Sequence, residues 1–145
     1  MSGPAPQGFP NSSILLATTQ GPPLVPTLGE AILFEGCEIR GTNITFRAGI
    51  FTLCGGHTYK CMAGVTTGVF SGPRGNITCR WRNITAGVLF GVHCIQSAAG
   101  GNSGQSGLAV GLITTAAPTT IQLEASVLRD VSNVGNIWAT VEVVA

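Results

Sequence analysis

The sequence predicts an all-β sandwich or jelly roll, and three observations predict it. Thr, Val and Ile are abundant beside 21 Gly and 8 Pro, a composition that suits short strands joined by tight turns. Short strand-like runs recur along the chain with turn signals between them at regular spacing, the pattern of two-sheet β proteins. No helical period competes over any useful length, and charged helix formers are scarce: there is one Lys and one Asp.

Taken in order, residues 1–12 read as a Pro/Gly-rich tail and residues 13–145 as one head domain, a usual size for a single core. Gly3-Pro4-Ala5, Gly8-Phe9-Pro10 and Gly21-Pro22-Pro23 have the composition of a collagen-like stalk without its strict three-residue period. No leader is visible in residues 1–10, which lack a basic region followed by an apolar core. Strands are expected at 13–18 and 31–35, on either side of a turn region at 21–26, and then at 37–39, 44–47, 50–54 and 57–65. The series continues at 77–85, 88–97, 107–114, 120–128 and 136–144. Gly55-Gly56 reads as a hairpin turn whose returning strand points Tyr59 and Cys61 the same way.

The faces of these strands carry the functional signal. Only 9% of the residues are charged, where a soluble domain typically carries about 25%, yet no stretch is long and unbroken enough to cross a bilayer. Val88, Phe90, Val92 and Cys94 alternate with Leu89, Gly91, His93 and Ile95, and Leu108, Val110 and Leu112 alternate with Ala109, Gly111 and Ile113. Both faces of each run are therefore apolar. One face enters the subunit core and the other needs a partner, which points to self-association. The run Ile121, Leu123, Ala125, Val127 differs, because Gln122, Glu124 and Ser126 give it one wet face. On the last strand Trp138 and Thr140 share the face opposite Ile137, Ala139, Val141 and Val143, so Trp138 is a candidate contact with another subunit.

Charge and residue counts exclude several functions. A formal charge of +1 supplies no field for nucleic acid or for electrostatic membrane docking. Arg80 and Arg82 flank Trp81, but the alternation of Ile77, Cys79 and Trp81 with Thr78, Arg80 and Arg82 reads as a half-buried strand with a solvated face. His57, His93 and Asp130 are the whole stock for a Ser/His/Asp device. No nucleophile-elbow pattern surrounds a serine, and His93 reads as a packed imidazole in an apolar strand. Glu30, Glu35 and Glu38 form no acid/base pattern, so no enzyme activity is expected.

Cys54, His57 and Cys61 have the spacing C-x2-H-x3-C, but the pairing of ligands typical of zinc is missing, and neither a metal nor any cofactor is expected. Five cysteines is an odd number. Buried free thiols are the default for Cys61, Cys79 and Cys94, and a Cys54–Cys61 bridge stays open as an alternative. Asn11, Asn43, Asn76 and Asn83 begin Asn-x-Ser/Thr triplets, candidate glycan acceptors in a secretory route. Residues 100–107 form a polar loop in which Asn102, Ser103 and Gln105 are candidate ligand contacts.

The second half of the chain resembles the tumour necrosis factor and complement C1q superfamily of globular heads, most closely the BclA-type heads of collagen-like surface glycoproteins. The resemblance rests on Gly56-His57-Thr58-Tyr59-Lys60-Cys61-Met62-Ala63, on Leu112-Ile113-Thr114-Thr115, on the strand at 118–128 and on the closing segment Gly135-Asn136-Ile137-Trp138-Ala139-Thr140-Val141-Glu142-Val143-Val144-Ala145. It covers about residues 44–145. It implies a ten-stranded antiparallel jelly roll packed as a homotrimer, non-enzymatic and extracellular or surface-exposed on a spore, cell or virion. Self would be the main partner, with a receptor or glycan as a second, and a viral spike head or a purely structural coat component as alternatives. Tyr59, Leu108, Val110, Leu112, Trp138 and Thr140 are the candidate trimer-interface residues, with Tyr59 expected near the three-fold axis and Trp138 and Thr140 beside it.

Overall fold

Strands that must hide one apolar face in a common core pair into two sheets and pack face to face. The computed structural model describes residues 13–18, 26–65, 68–72, 74–97, 104–106, 108–134 and 137–145. Among them the chain forms β1 (Ile14–Thr18), β2 (Gly36–Arg40), β3 (Ile44–Arg47), β4 (Ile50–Leu53), β5 (His57–Val65), β6 (Gly68–Phe70) and β7 (Asn76–Asn83). β8 (Val88–Ser97), β9 (Gly104–Ser106), β10 (Ala109–Thr115), β11 (Thr119–Arg129), β12 (Val131–Val134) and β13 (Ile137–Val143) complete the set. One sheet has the order β10-β5-β13-β1-β2 and the other β3-β4-β11-β7-β8-β9, while β6 and β12 pair separately. All the strand pairings are antiparallel. The expected tail, residues 1–12, lies outside the described residues. No helix is long and apolar enough to cross a membrane among the described residues.

The core lies between the sheets, and both contribute small and large residues to it. Cys61, Ala63, Ala109 and Ala139 of the five-stranded sheet are fully buried, as are Trp81, Phe51, Ile77 and Leu123 of the six-stranded sheet. Phe51 stacks edge-on against Trp81 at 5.4 Å and meets Phe46 at 4.8 Å between centroids. The Trp81 indole Nε1 donates to the Ala109 carbonyl at 3.0 Å, which ties the sheets together and satisfies the one polar atom of a buried ring.

Several expected elements take a different form. β4 and β5 belong to different sheets, so Gly55-Gly56 is a crossover between layers and not a hairpin turn. A Cβ on Gly55 would fall 2.7 Å from the Ala117 Cα, and Gly56 has φ +90°, so both positions favour glycine. The expected strand at 31–35 is instead an edge segment: Gly29 N donates to Ala125 O at 3.0 Å and Ile32 N to Leu123 O at 2.9 Å. That segment continues the edge of β11 where β4 stops pairing with it, beyond Gln122.

The wet face of β11 is also covered. Glu124 is buried, receives Arg82 Nε at 2.7 Å and Nη2 at 3.2 Å, and accepts from Gln122 Nε2 at 2.9 Å. Ser126 is the extra residue of a β-bulge between Ala125 and Val127. The alternation therefore inverts: Val127 is exposed, and Leu128 packs against the core in its place.

Candidate self-association face

Some exposed apolar side chains, among them Val92 and Val127, belong to the six-stranded sheet, while the outward face of the five-stranded sheet carries Leu112 and several half-buried apolar residues. Strand register sets them in rows across the sheet. Leu112, Lys60, Glu142, Ile14 and Arg40 lie side by side, each directly opposite the next. Val110, Met62, Thr140, Leu16 and Glu38 form the neighbouring row. In a third row the indole of Trp138 lies against Gly64, where an added Cβ would come within 2.7 Å of Nε1. Leu112 is 65% exposed, the highest value among the large apolar side chains of the described residues. Charges enter the middle of the face as Lys60 and Glu142, placed opposite each other; toward the edge, Arg40 pairs with Glu38 at 3.1 Å. The face therefore mixes apolar side chains with two pairs of opposite charge, which balance each other.

The β10 border of this face is shaped by glycine. β8 carries two more residues than β7 between the pairs Cys79↔Cys94 and Trp81↔Phe90. This bulge brings Gly91, at φ +75°, onto the Val110 carbonyl and the Gly111 Cα, while the Phe90 ring covers Gly111. Arg80 Nε donates to the Gly91 carbonyl at 3.0 Å and holds the bulge in place. Val92, on the bulge itself, is 61% exposed.

The expected interface residues divide on these facts. Val110, Leu112, Trp138 and Thr140 lie on the outward face by register, and Leu108, half-buried, precedes β10. Tyr59 does not belong with them. It is fully buried between the sheets, shares the inward face with Cys61, and donates its hydroxyl to the Cys54 carbonyl at 2.8 Å and the Asn43 carbonyl at 3.4 Å. Burial pushes its phenol up to about 12, the neighbouring Cys54 thiol adds to the rise, and the bond to the Cys54 backbone opposes it. The expected set did not include Lys60, Met62, Glu142 or Ile14; of these only Glu142 shares a strand and parity with residues in it, Trp138 and Thr140, whereas Lys60 and Met62 alternate with Tyr59 and lie on the opposite face of β5.

The remaining candidates fall elsewhere. Cys54 is exposed, with Sγ 3.8 Å from the Thr42 carbonyl, whereas Cys61 is buried and its thiol is held well above the ordinary range by desolvation. The two are free thiols in different environments, and the C-x2-H-x3-C residues do not converge. No group of three His, Cys, Asp or Glu able to hold a metal occurs among the described residues. His57 is half-buried, with Nε2 3.4 Å from Asn43 Nδ2 and its ring edge-on to Tyr59. His93 is exposed on the β8 bulge and not packed in the apolar strand as expected, because the extra residues lift it from the sheet. Asp130 is exposed, at φ +50°, in the link from β11 to β12.

Among the sequons, Asn43 and Asn76 are engaged in side-chain hydrogen bonds, and Asn83 accepts from Ala86 N at the head of an exposed turn. Asn11, Asn102 and Ser103 lie outside the described residues, and Gln105 stands in β9 opposite Gln96.

No family model matches the sequence, and no curated protein matches it. Solved structures do match. The globular domain of a zebrafish complement 1qA protein is similar with a TM-score of 0.59 and 10% identity, over 89% of this chain and 93% of that one. Murine APRIL at pH 5.0 is similar with a TM-score of 0.60 and 13% identity, over 90% and 98% of the two chains. Murine APRIL at pH 8.0 gives 0.57 and 12%, over the same shares. At these identities the likeness is one of fold, and the fold is a jelly roll of the TNF/C1q type.

Proposed function

We propose that this chain is a non-enzymatic head domain that works as a homotrimer on an extracellular surface, giving structure and attachment there. The observation that carries the reading is the outward face of the five-stranded sheet. Its rows combine Leu112, Val110, Met62, Ile14 and Trp138 with one balanced charge pair at their centre. Covering that face with a second and third copy removes apolar area from water at about 25 cal/mol per Å². The jelly-roll likeness to complement and APRIL heads supports the same assembly, as does a chain with only 9% charged residues. Display on a spore, cell or virion surface, with a receptor or glycan held by the polar segment around Asn102, Ser103 and Gln105, completes the proposal. Glycan attachment at Asn83 fits its exposed turn better than attachment at Asn43 or Asn76.

Leu112→Arg tests the interface with little cost to the subunit, since the side chain is mostly outside the core. The variant is expected to keep its β circular dichroism and to sediment as a monomer at micromolar concentration, where the parent sediments as a trimer. A variant that remains trimeric removes this face from the interface.

A further inference from the structure

Cys79 and Cys94 occupy a geometry that the proposed function does not use. They stand directly opposite each other on the antiparallel pair β7 and β8, with side chains on the same inward face and both buried. Directly opposed residues in such a pair have Cα atoms about 4.5–5.5 Å apart, inside the about 4.4–6.8 Å that a disulfide spans. Of the five cysteines, all now free, Cys37 and Cys54 are exposed and Cys61 faces the core from the other sheet. The two thiols are also engaged with each other. Interaction between the two thiols draws the Cys94 thiol below the ordinary range and, together with burial, raises Cys79 above it.

We propose that Cys79 and Cys94 are a preformed disulfide site, closed when the chain meets a disulfide oxidant in an oxidising compartment. The oxidant is an organic disulfide, either a small molecule such as oxidised glutathione or the active-site disulfide of an oxidoreductase. The Cys94 thiolate attacks one sulfur of the oxidant, forming a mixed disulfide and releasing the first thiol. Cys79 then gives up its proton and attacks the Cys94 sulfur, releasing the second thiol. Two hydrogens have passed from the protein to two reduced thiols, and one S–S bond has replaced another. The bond would sit at the last regular pair before the β8 bulge and pin the strand that Arg80 and Gly91 hold against β10. Its consequence is an oxidation-dependent stiffening of that border, independent of whether the head is trimeric.

The test uses the full chain, purified reduced from a bacterial cytosol and incubated with oxidised glutathione. Free thiols are then alkylated in denaturant and the protein is digested with trypsin. Residues 75–80 and 83–129 each hold one cysteine, Cys79 and Cys94, on separate fragments. A species joining these fragments, lighter by two hydrogens than their sum and split by reductant, is expected as the main product. The oxidised protein is also expected to gain on the order of 10 °C in Tm, a gain kept by Cys37→Ser and Cys54→Ser. Alkylation of both Cys79 and Cys94 after oxidation, or linkage of either to another cysteine, overturns the proposal. Because the parent protein is mapped directly, the result does not depend on whether a Cys79 or Cys94 variant folds.

Discussion

Tyr59 shows how a single side chain organises the end of the sandwich. Its hydroxyl and the Thr115 hydroxyl both donate to the Cys54 carbonyl, at 2.8 and 2.7 Å, so the crossover between the sheets is fastened from β5 and from β10. Tyr59→Phe is expected to cost about 1 kcal/mol in chemical denaturation, since Thr115 still satisfies that carbonyl. A cost near 3 kcal/mol would show that the hydroxyl does more than share an acceptor. As the chain has one tyrosine, tyrosinate absorbance reports this site alone. With its folded pKa raised from 10.0 to about 12, the folded protein keeps a proton that the unfolded chain loses, so stability falls as pH rises across that window and is unaffected by this group below it. Tyrosinate is expected near pH 12 while the fold persists; titration near 10 in the folded protein would contradict the burial. Alternation correctly put Tyr59 and Cys61 on one face. The expectation that Tyr59 lies near a three-fold axis came from the family resemblance, whereas the alternation itself, with Thr58 and Lys60 on the other face, agrees with the burial observed.

Bulges and glycines explain why the elements depart from simple alternation. A period-two pattern reads the face of a residue only while the ladder is regular, and the extra residue at Ser126 exchanges the roles of Val127 and Leu128. The two added residues in β8 likewise move His93 and Val92 to the surface. Neither bulge has a local sequence mark, apart from Gly91. Covering of Gln122 and Glu124 was equally illegible, because it comes from residues 29–32, almost a hundred positions away. Gly91 supplies the element-scale test. Gly91→Ala combines a positive φ with a Cβ driven into the β10 backbone, whereas Gly87→Ala has a similar φ, +74°, and open space around it. Gly87→Ala is expected to lose about 1 kcal/mol and Gly91→Ala at least twice that. Equal losses would mean that β8 and β10 do not approach as closely as described.

At the scale of the whole molecule, composition and spacing made the fold class legible: turn-rich, helix-poor and two-layered. The low charge and the doubly apolar segment 108–113 are the sequence features behind the proposed self-association face, and Val110 and Leu112 stand on the outward side of β10 by register. The strand count rose from about ten to thirteen among the described residues, since β6, β9 and β12 are each three or four residues long and lack a readable period. The sequence could not reveal the partnership of Cys79 with Cys94, because it depends on the register of β7 with β8. An isolated subunit leaves Leu112 largely in water, and the proposed assembly would cover it. The most direct test is the mass of the unmodified protein in solution by sedimentation equilibrium at micromolar concentration. A single species at three times the 14.8 kDa chain mass is the predicted result, and a stable species at 14.8 kDa would contradict the account.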